Sequence, residues 1–357
     1  MIALQKLQAA LPTLNVEGAI ISSELNQRYL SGFDYTDGYL LVTAEHAYLL
    51  ADFRYTEAAH AQTVGWEIIR PEGTMLDELK RLMAKDGITR VALEDATLSC
   101  ADYKKFTEVF EGVTLCTGGS ELIKNLRAVK SAEELAIIDK AQQITDLAFS
   151  HILGYITPDV TEQDVALELE FFMRKHGAES TAFQTIAVSG SASSLPHGVP
   201  RSVKLQKGFL TMDFGAKYEG YCSDMTRTVV IGKADEEIKK IYNTVLSAQL
   251  AALEALQEGA YCRQIDQIAR GIIGEAGYGA CFGHGLGHGV GMFIHEFPSV
   301  SPKADEALKL VRGNVVTIEP GIYLEGKYGC RIEDMVAIDL DGSVRNFTKS
   351  PKELIEL

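Results

Sequence analysis

Several features are scarce in this sequence, and each scarcity removes a class of function. No stretch reaches 18 uncharged apolar residues, so no membrane span is expected. Basic clusters are missing: 34 Lys and Arg stand against 49 Asp and Glu, a formal charge of −15. The short basic pairs at 104–105 and 239–240 have acids within a turn or two. Nucleic acid and anionic lipid surfaces recruit clustered cations, so neither is expected as a partner. Six cysteines form no CxxC pair, which fits free thiols in a reducing cytoplasm better than a disulfide framework. The opening MIALQKLQAALPTLNVEG lacks a charged start, a continuous apolar run and a small-residue cleavage site. It reads as a short amphipathic helix and not as a signal peptide. HExxH is absent as well, which excludes a helix-borne single-zinc protease.

What remains is ordinary globular material, 46% hydrophobic and 23% charged, in 357 residues, enough for two domains. Residues 1–122 alternate short apolar runs (17–23, 38–43, 47–51, 90–94) with helical stretches (53–61, 76–86, 101–110), an α/β pattern. The TGG at 117–119 and the charged LIKNLRAVKS that follows place a linker at 123–130. Ser131 and Glu134 form a capping-box pattern that opens a second domain, 131–357. Helices are expected there at about 162–176, 236–258 and 262–276, interleaved with Gly-rich strands, an α+β pattern.

The second domain holds the unusual residues. In KGFLTMDFGAKYEGYCSDMTRTVVIG (207–232), a hairpin, Asp213 and Asp224 are equidistant from the point between Tyr218 and Glu219. A symmetric register sets them opposite each other, with Cβ atoms about 4.5–5.5 Å apart. Their apolar or small neighbours Met212, Phe214, Cys222 and Met225 solvate charge poorly, so two carboxylates there call for a cation or a shared proton. Taken alone, the pair reads more readily as two unrelated surface aspartates on a polar face.

GNVVTIEPGIYLEGKYGCRIEDMVAI (313–338) repeats the plan: TMDFG is echoed by TIEPG, and CSDM by CRIEDM with an insertion. Glu319 and Glu333 are equidistant from Gly326, and Pro320 bends the first strand. Two such hairpins imply an internal pseudo-twofold and four carboxylates facing one site. Between them, GHGLGHGVGMFIHEFP (283–298) carries His284, His288 and His295. Its alternating glycines keep the backbone close, and His284 and His288 share a face if the stretch is helical. A flexible Gly-rich loop is the plainer alternative, opposed by the apolar run 290–294. The tract fits no phosphate-cradling glycine motif. Four carboxylates with one imidazole are too oxygen-rich for structural zinc. They suit two divalent ions of intermediate hardness, manganese first, with cobalt or zinc as alternatives.

At these residues the chain resembles the pita-bread metallopeptidases, and within them the proline-specific branch of Xaa-Pro dipeptidase (prolidase) and aminopeptidase P. HGLGHGVGMFIHE (284–296) is similar throughout to that branch's signature. The resemblance extends over essentially the whole chain and implies a creatinase-like N-terminal domain before a pita-bread catalytic domain. It implies metal ligation by Asp213, Asp224, His288, Glu319 and Glu333, with Asp224 and Glu333 bridging two ions. Glu319 is then also the general base for the bridging water. His197, in SLPHGVP, matches an outer histidine that contacts substrate or the tetrahedral intermediate, and His284 and His295 match histidines lining the substrate side. Of these, His197 and His295 join Glu319 as catalytic residues. Arg331 matches an arginine that supports a ligand carboxylate and is counted with the substrate-binding residues.

The implied substrate is a peptide or dipeptide with proline second, and the implied assembly a homodimer. A broader metalloaminopeptidase is the nearest alternative. A creatinase-like amidinohydrolase and a non-catalytic binding module are both disfavoured by the complete set of ligand-type residues.

Overall fold

Short runs rich in Leu, Ile and Val become strands in the computed structural model, which describes residues 2–357. The chain divides into two units, one ending at Arg127 and the other running from Ala128 to Leu357. In the first, strands β1 (Gly18–Ile21), β2 (Tyr39–Thr43), β3 (Ala47–Leu50), β4 (Glu67–Ile69), β5 (Arg90–Leu93) and β6 (Thr114–Cys116) form one mixed sheet in the order β4-β3-β2-β1-β5-β6. Successive residues point to opposite faces. Ile21, Leu40, Val42 and Leu49 therefore join one core cluster, and Ile20, Leu41, Tyr48 and Leu50 another. The α-helices of this unit are α1 (Ile2–Ala10), α2 (Glu24–Ser31), α3 (Thr56–Gln62), α4 (Met75–Lys85), α5 (Cys100–Val109) and α6 (Gly119–Ala128).

Two elements differ from the sequence reading. Helix α2 is short and polar, and is defined by its ends: Ser23 accepts the Asn26 amide, and Gly32 closes it in the left-handed conformation. The stretch 123–130 is not an open linker, because α6 runs through it to Ala128. Leu122, Ile123 and Leu126, spaced three and four apart, pack on the core beneath the charged face that masked them.

In the second unit, helices α7 (Ala132–Tyr155), α8 (Glu162–Lys175), α9 (Glu236–Glu254) and α10 (Cys262–Glu275) form two pairs. The Ser131–Glu134 capping box is present at the start of α7. The strands are β7 (Ser180–Thr181), β8 (Ile186–Ser189), β9 (Gly208–Phe214), β10 (Ala216–Tyr218), β11 (Tyr221–Cys222), β12 (Met225–Ile231), β13 (Gly287–Gly289), β14 (Glu296–Val300), β15 (Val315–Ile318), β16 (Gly321–Leu324), β17 (Tyr328–Arg331), β18 (Asp334–Ile338) and β19 (Val344–Asn346). Helices α7 and α8 pack on β9 and β12 through Ile144, Leu169, Met212 and Val229. Helices α9 and α10 pack on β15 and β18 through Ile241, Ile265, Val316 and Val336. Matching isolated bridges, Thr161 to Lys204 and Tyr261 to Lys309, tie the start of α8 and of α10 to their halves. This is the pita-bread architecture with its internal pseudo-twofold.

The hairpin registers decide where the carboxylates fall. In the second hairpin, Val315 to Ile318 pair with Ala337 to Asp334, and Gly321 to Leu324 with Arg331 to Tyr328. That one register sets Glu319 opposite Glu333. In the first hairpin Asp213 pairs with Thr226, not with Asp224. The turn is Glu219–Gly220, both left-handed at φ 44° and 85°, a two-residue hairpin turn that moves the centre one position along. The shift moves Asp213's partner by two, an even number. The two aspartates are therefore diagonal neighbours on one face instead of a directly opposed pair.

Candidate active site

Both hairpins are interrupted midway, and the carboxylates lie at or beside the interruptions. Asp224 lies between β11 and β12, and Asp213 is the penultimate residue of β9. Glu319 and Pro320 separate β15 from β16, and Ile332 and Glu333 separate β17 from β18. Asp224, His288 and Glu333 bring ligand-capable atoms within 4.8 Å of one another. His288 Nε2 is 3.6 Å from Asp224 Oδ2 and 3.4 Å from Glu319 Oε1. Its Nδ1 is 3.1 Å from the Gly289 carbonyl. Assigning the proton to Nδ1, the donor in that bond, leaves the Nε2 lone pair aimed at the carboxylates. Asp213 Oδ2 takes a 2.6 Å hydrogen bond from Arg331, while Oδ1 is buried without a partner among the described residues.

The electrostatics match a site built for cations. Burial pushes Asp224 well above the usual carboxylate range, and the charges of Glu333, Asp213 and Glu319 push it further. Glu333 is raised by burial and by Glu319 and Asp213. Glu319 is pushed up to about 8, chiefly by burial, with Arg331 opposing and Asp213 adding. His288 and His284 are lowered to about 4 by burial, helped by His295 and Arg331 respectively. An orphaned buried acceptor, three carboxylates whose charge is disfavoured by burial and by one another, and an imidazole held neutral fit divalent ions of intermediate hardness.

Around these groups runs a layer of hydroxyls and one arginine. Thr226 Oγ1 donates to Glu333 Oε2 at 2.8 Å and accepts from Arg331 Nε at 2.9 Å. Thr317 Oγ1 accepts the His288 amide at 3.1 Å and donates to Glu319 Oε1 at 3.2 Å. Arg331 Nη1 donates to Tyr323 Oη at 2.7 Å and to the Pro196 carbonyl at 3.3 Å. The Arg331 side chain is only 4% exposed, and four hydrogen bonds commit it to protein acceptors. These bonds tie it to Asp213 and Thr226 while it still borders the cleft. Thr226, Thr317 and Tyr323 escaped the sequence reading, although each lies two or four residues from Asp224 or Glu319, the spacing of one strand face.

His197, His284 and His295 line the same cleft of about 460 Å³ as Arg331 and the five residues above. The His295 ring centroid is 4.4 Å from that of His288, and His284 Nε2 is 3.1 Å from Tyr323 Oη. The segment between His284 and His288 is not helical: His288 sits in strand β13, and an even spacing serves one face of an extended chain equally well. A Cβ at Gly287 would stand 1.9 Å from the Thr317 carbonyl oxygen, and one at Gly289 2.5 Å from that of Phe297. These glycines let β13 fit between β14 and β15.

Residues 136–339 match metallopeptidase family M24, and residues 4–129 match the creatinase/prolidase N-terminal domain. An uncharacterised peptidase of Bacillus subtilis is 40% identical over 355 residues, 99% of each chain. A solved Xaa-Pro dipeptidase from Bacillus anthracis superposes with a TM-score of 0.95 at 41% identity, covering 100% of this chain and 99% of that one. An X-Pro aminopeptidase from Thermotoga maritima superposes at 0.90 with 35% identity, covering 98% and 100%.

Proposed function

The chain belongs to metallopeptidase family M24, and on that premise we propose that it hydrolyses the peptide bond before proline, in Xaa-Pro dipeptides or at peptide N-termini. The observation that carries this reading is the Asp224, His288 and Glu333 cluster on one cleft with Glu319 and the orphaned Asp213 oxygen. Asp213, Asp224, His288, Glu319 and Glu333 would hold two divalent ions, with manganese the first candidate for a single-imidazole, carboxylate-rich set. Such a pair, when bound, lowers the pKa of water and polarises the scissile carbonyl.

The remaining steps fall to side chains. Glu319 takes the proton of the attacking water and returns it to the departing proline nitrogen, which needs one to leave as an amine. His197 and His295 donate hydrogen bonds to the carbonyl oxygen as negative charge builds on it. The bond before proline has no N–H, so recognition depends on shape. Phe183, Ile186, Val199 and Ile294 give the cleft an apolar wall suited to a pyrrolidine ring. Six free cysteines support a reducing compartment, the cytoplasm, and the homodimer follows the family resemblance.

Chelation is expected to abolish turnover, and manganese or cobalt to restore it. A side-by-side assay of Xaa-Pro and Xaa-Pro-Yaa substrates then separates dipeptidase from aminopeptidase. Equal cleavage of a substrate without proline would overturn the proline specificity. Arg331→Met frees Asp213 and leaves the Thr226 hydroxyl without its donor. We expect metal affinity to fall about 10- to 100-fold, read by titrating the chelated protein with manganese.

A further inference from the structure

A buried carboxylate closes the base of the loop that carries His197. Glu162, the first residue of α8, has a fully buried side chain (0% exposed) that accepts five hydrogen bonds. Two come from the start of the loop, the Ser189 amide at 2.7 Å and its hydroxyl at 2.8 Å. Three come from its end, from Arg201: the amide at 3.0 Å, Nε at 2.8 Å and Nη2 at 2.6 Å. Nη2 also reaches the Ser189 carbonyl at 3.3 Å. The Arg201 fork and the Glu162 carboxylate thus fix both ends of the segment between Ser189 and Arg201 in one planar arrangement.

His197 itself is exposed, and its ring makes no hydrogen bond to protein among the described residues. Its position over the cleft is inherited from the loop that carries it: from the base at Glu162, the Gly329 amide bonded to the Ser193 hydroxyl, the turn that joins the Gly198 amide to the Leu195 carbonyl, and the Arg331 contact to the Pro196 carbonyl. The second half of the unit repeats the device. Asp266, buried on α10, accepts the Leu286 amide at 2.9 Å and the Arg270 fork at 2.8 and 2.9 Å. Arg270 in turn donates to the carbonyls of Phe282 and His284. In both halves an acid on the second helix pairs with an arginine to fix a histidine-bearing segment.

We propose that Glu162 and Arg201 are positioning residues for His197, holding its imidazole where it meets the substrate. The inference rests on the reading of His197 as a substrate contact. It is tested with Arg201→Gln, His197→Ala and their double mutant, each checked for metal content and thermal stability. Arg201→Gln removes the counter-charge of the buried Glu162, so Glu162→Gln, which removes the charge itself, is the second variant on the same pair and keeps the test open where the first is poorly folded. A misplaced catalytic contact costs up to about 100-fold. We therefore expect Arg201→Gln to lower kcat/KM on Xaa-Pro substrates by roughly 10- to 100-fold with metal content unchanged. The double mutant should be no slower than His197→Ala. A metal-replete Arg201→Gln with wild-type kcat/KM, or a double mutant that loses the product of the two single effects, overturns the proposal. A wild-type rate in His197→Ala instead overturns the substrate-contact reading beneath it.

Discussion

Glu319→Gln is expected to lower kcat by about 10²- to 10⁴-fold, the range set by loss of a positioned general base. The substitution keeps the shape of the side chain and its Thr317 contact but removes the basic oxygen. Glu319 Oε1 also lies 3.4 Å from His288 Nε2, so the variant stands to lose cation affinity as well as the base. Measuring turnover at saturating manganese, with bound metal quantified on the same sample, separates the two effects. A metal-replete variant at the wild-type rate would show that another group takes the proton.

The second large effect concerns stability without metal. Chelated protein should lose stability as the pH rises from about 6.5 to about 8, and manganese should raise Tm more at pH 8 than at pH 6.5. Glu319 is raised from 4.5 to about 8, so between those values the folded state holds a proton that the unfolded chain has released. Stability then falls with increasing pH, by about 1.4 kcal/mol per pH unit for one such group. His284 and His288, lowered from 6.5 to about 4, act the opposite way. The unfolded chain binds their protons between pH 4 and 6.5, and stability climbs with pH over that interval. Above 6.5 the opposing histidine contribution fades within about one pH unit, while Glu319 alone contributes a loss of about 2 kcal/mol by pH 8. Asp224 and Glu333 push in the same direction. Thermal melts of chelated protein across this range test the point, and a Tm that is flat or rising above pH 6.5 contradicts it.

The nine side chains singled out in the sequence share one cleft; the four carboxylates and the three clustered histidines were legible locally, whereas His197 and Arg331 were singled out only through the family resemblance. Glu319 and Glu333 flank a turn whose centre, Gly326, adopts the left-handed conformation glycine favours, so their register followed from symmetry. Asp213 and Asp224 flank a turn in which Glu219 takes φ 44°, a conformation that its chemistry does not announce. The register was displaced, yet the shared face survived because the displacement was even. Helix α2 was invisible to periodicity, being eight residues long and polar. The polar scaffold was illegible for another reason: Glu162 finds Arg201 39 residues away, and Thr226 finds Glu333 107 residues away. Hydrogen bonds of that span are consequences of the fold and leave no spacing to detect.

The glycine tract of residues 283–291 has a mechanical consequence. By composition it looks like a hinge. Yet Gly287 and Gly289 are glycines because neighbouring carbonyls occupy the space a side chain would need, and β13 is paired on both edges, to β14 and β15. From Gly285 to Gly289 the tract is wedged between neighbours and acts as a mounting, not a hinge. The backbone on both sides of His288 is thereby held in place by its neighbours.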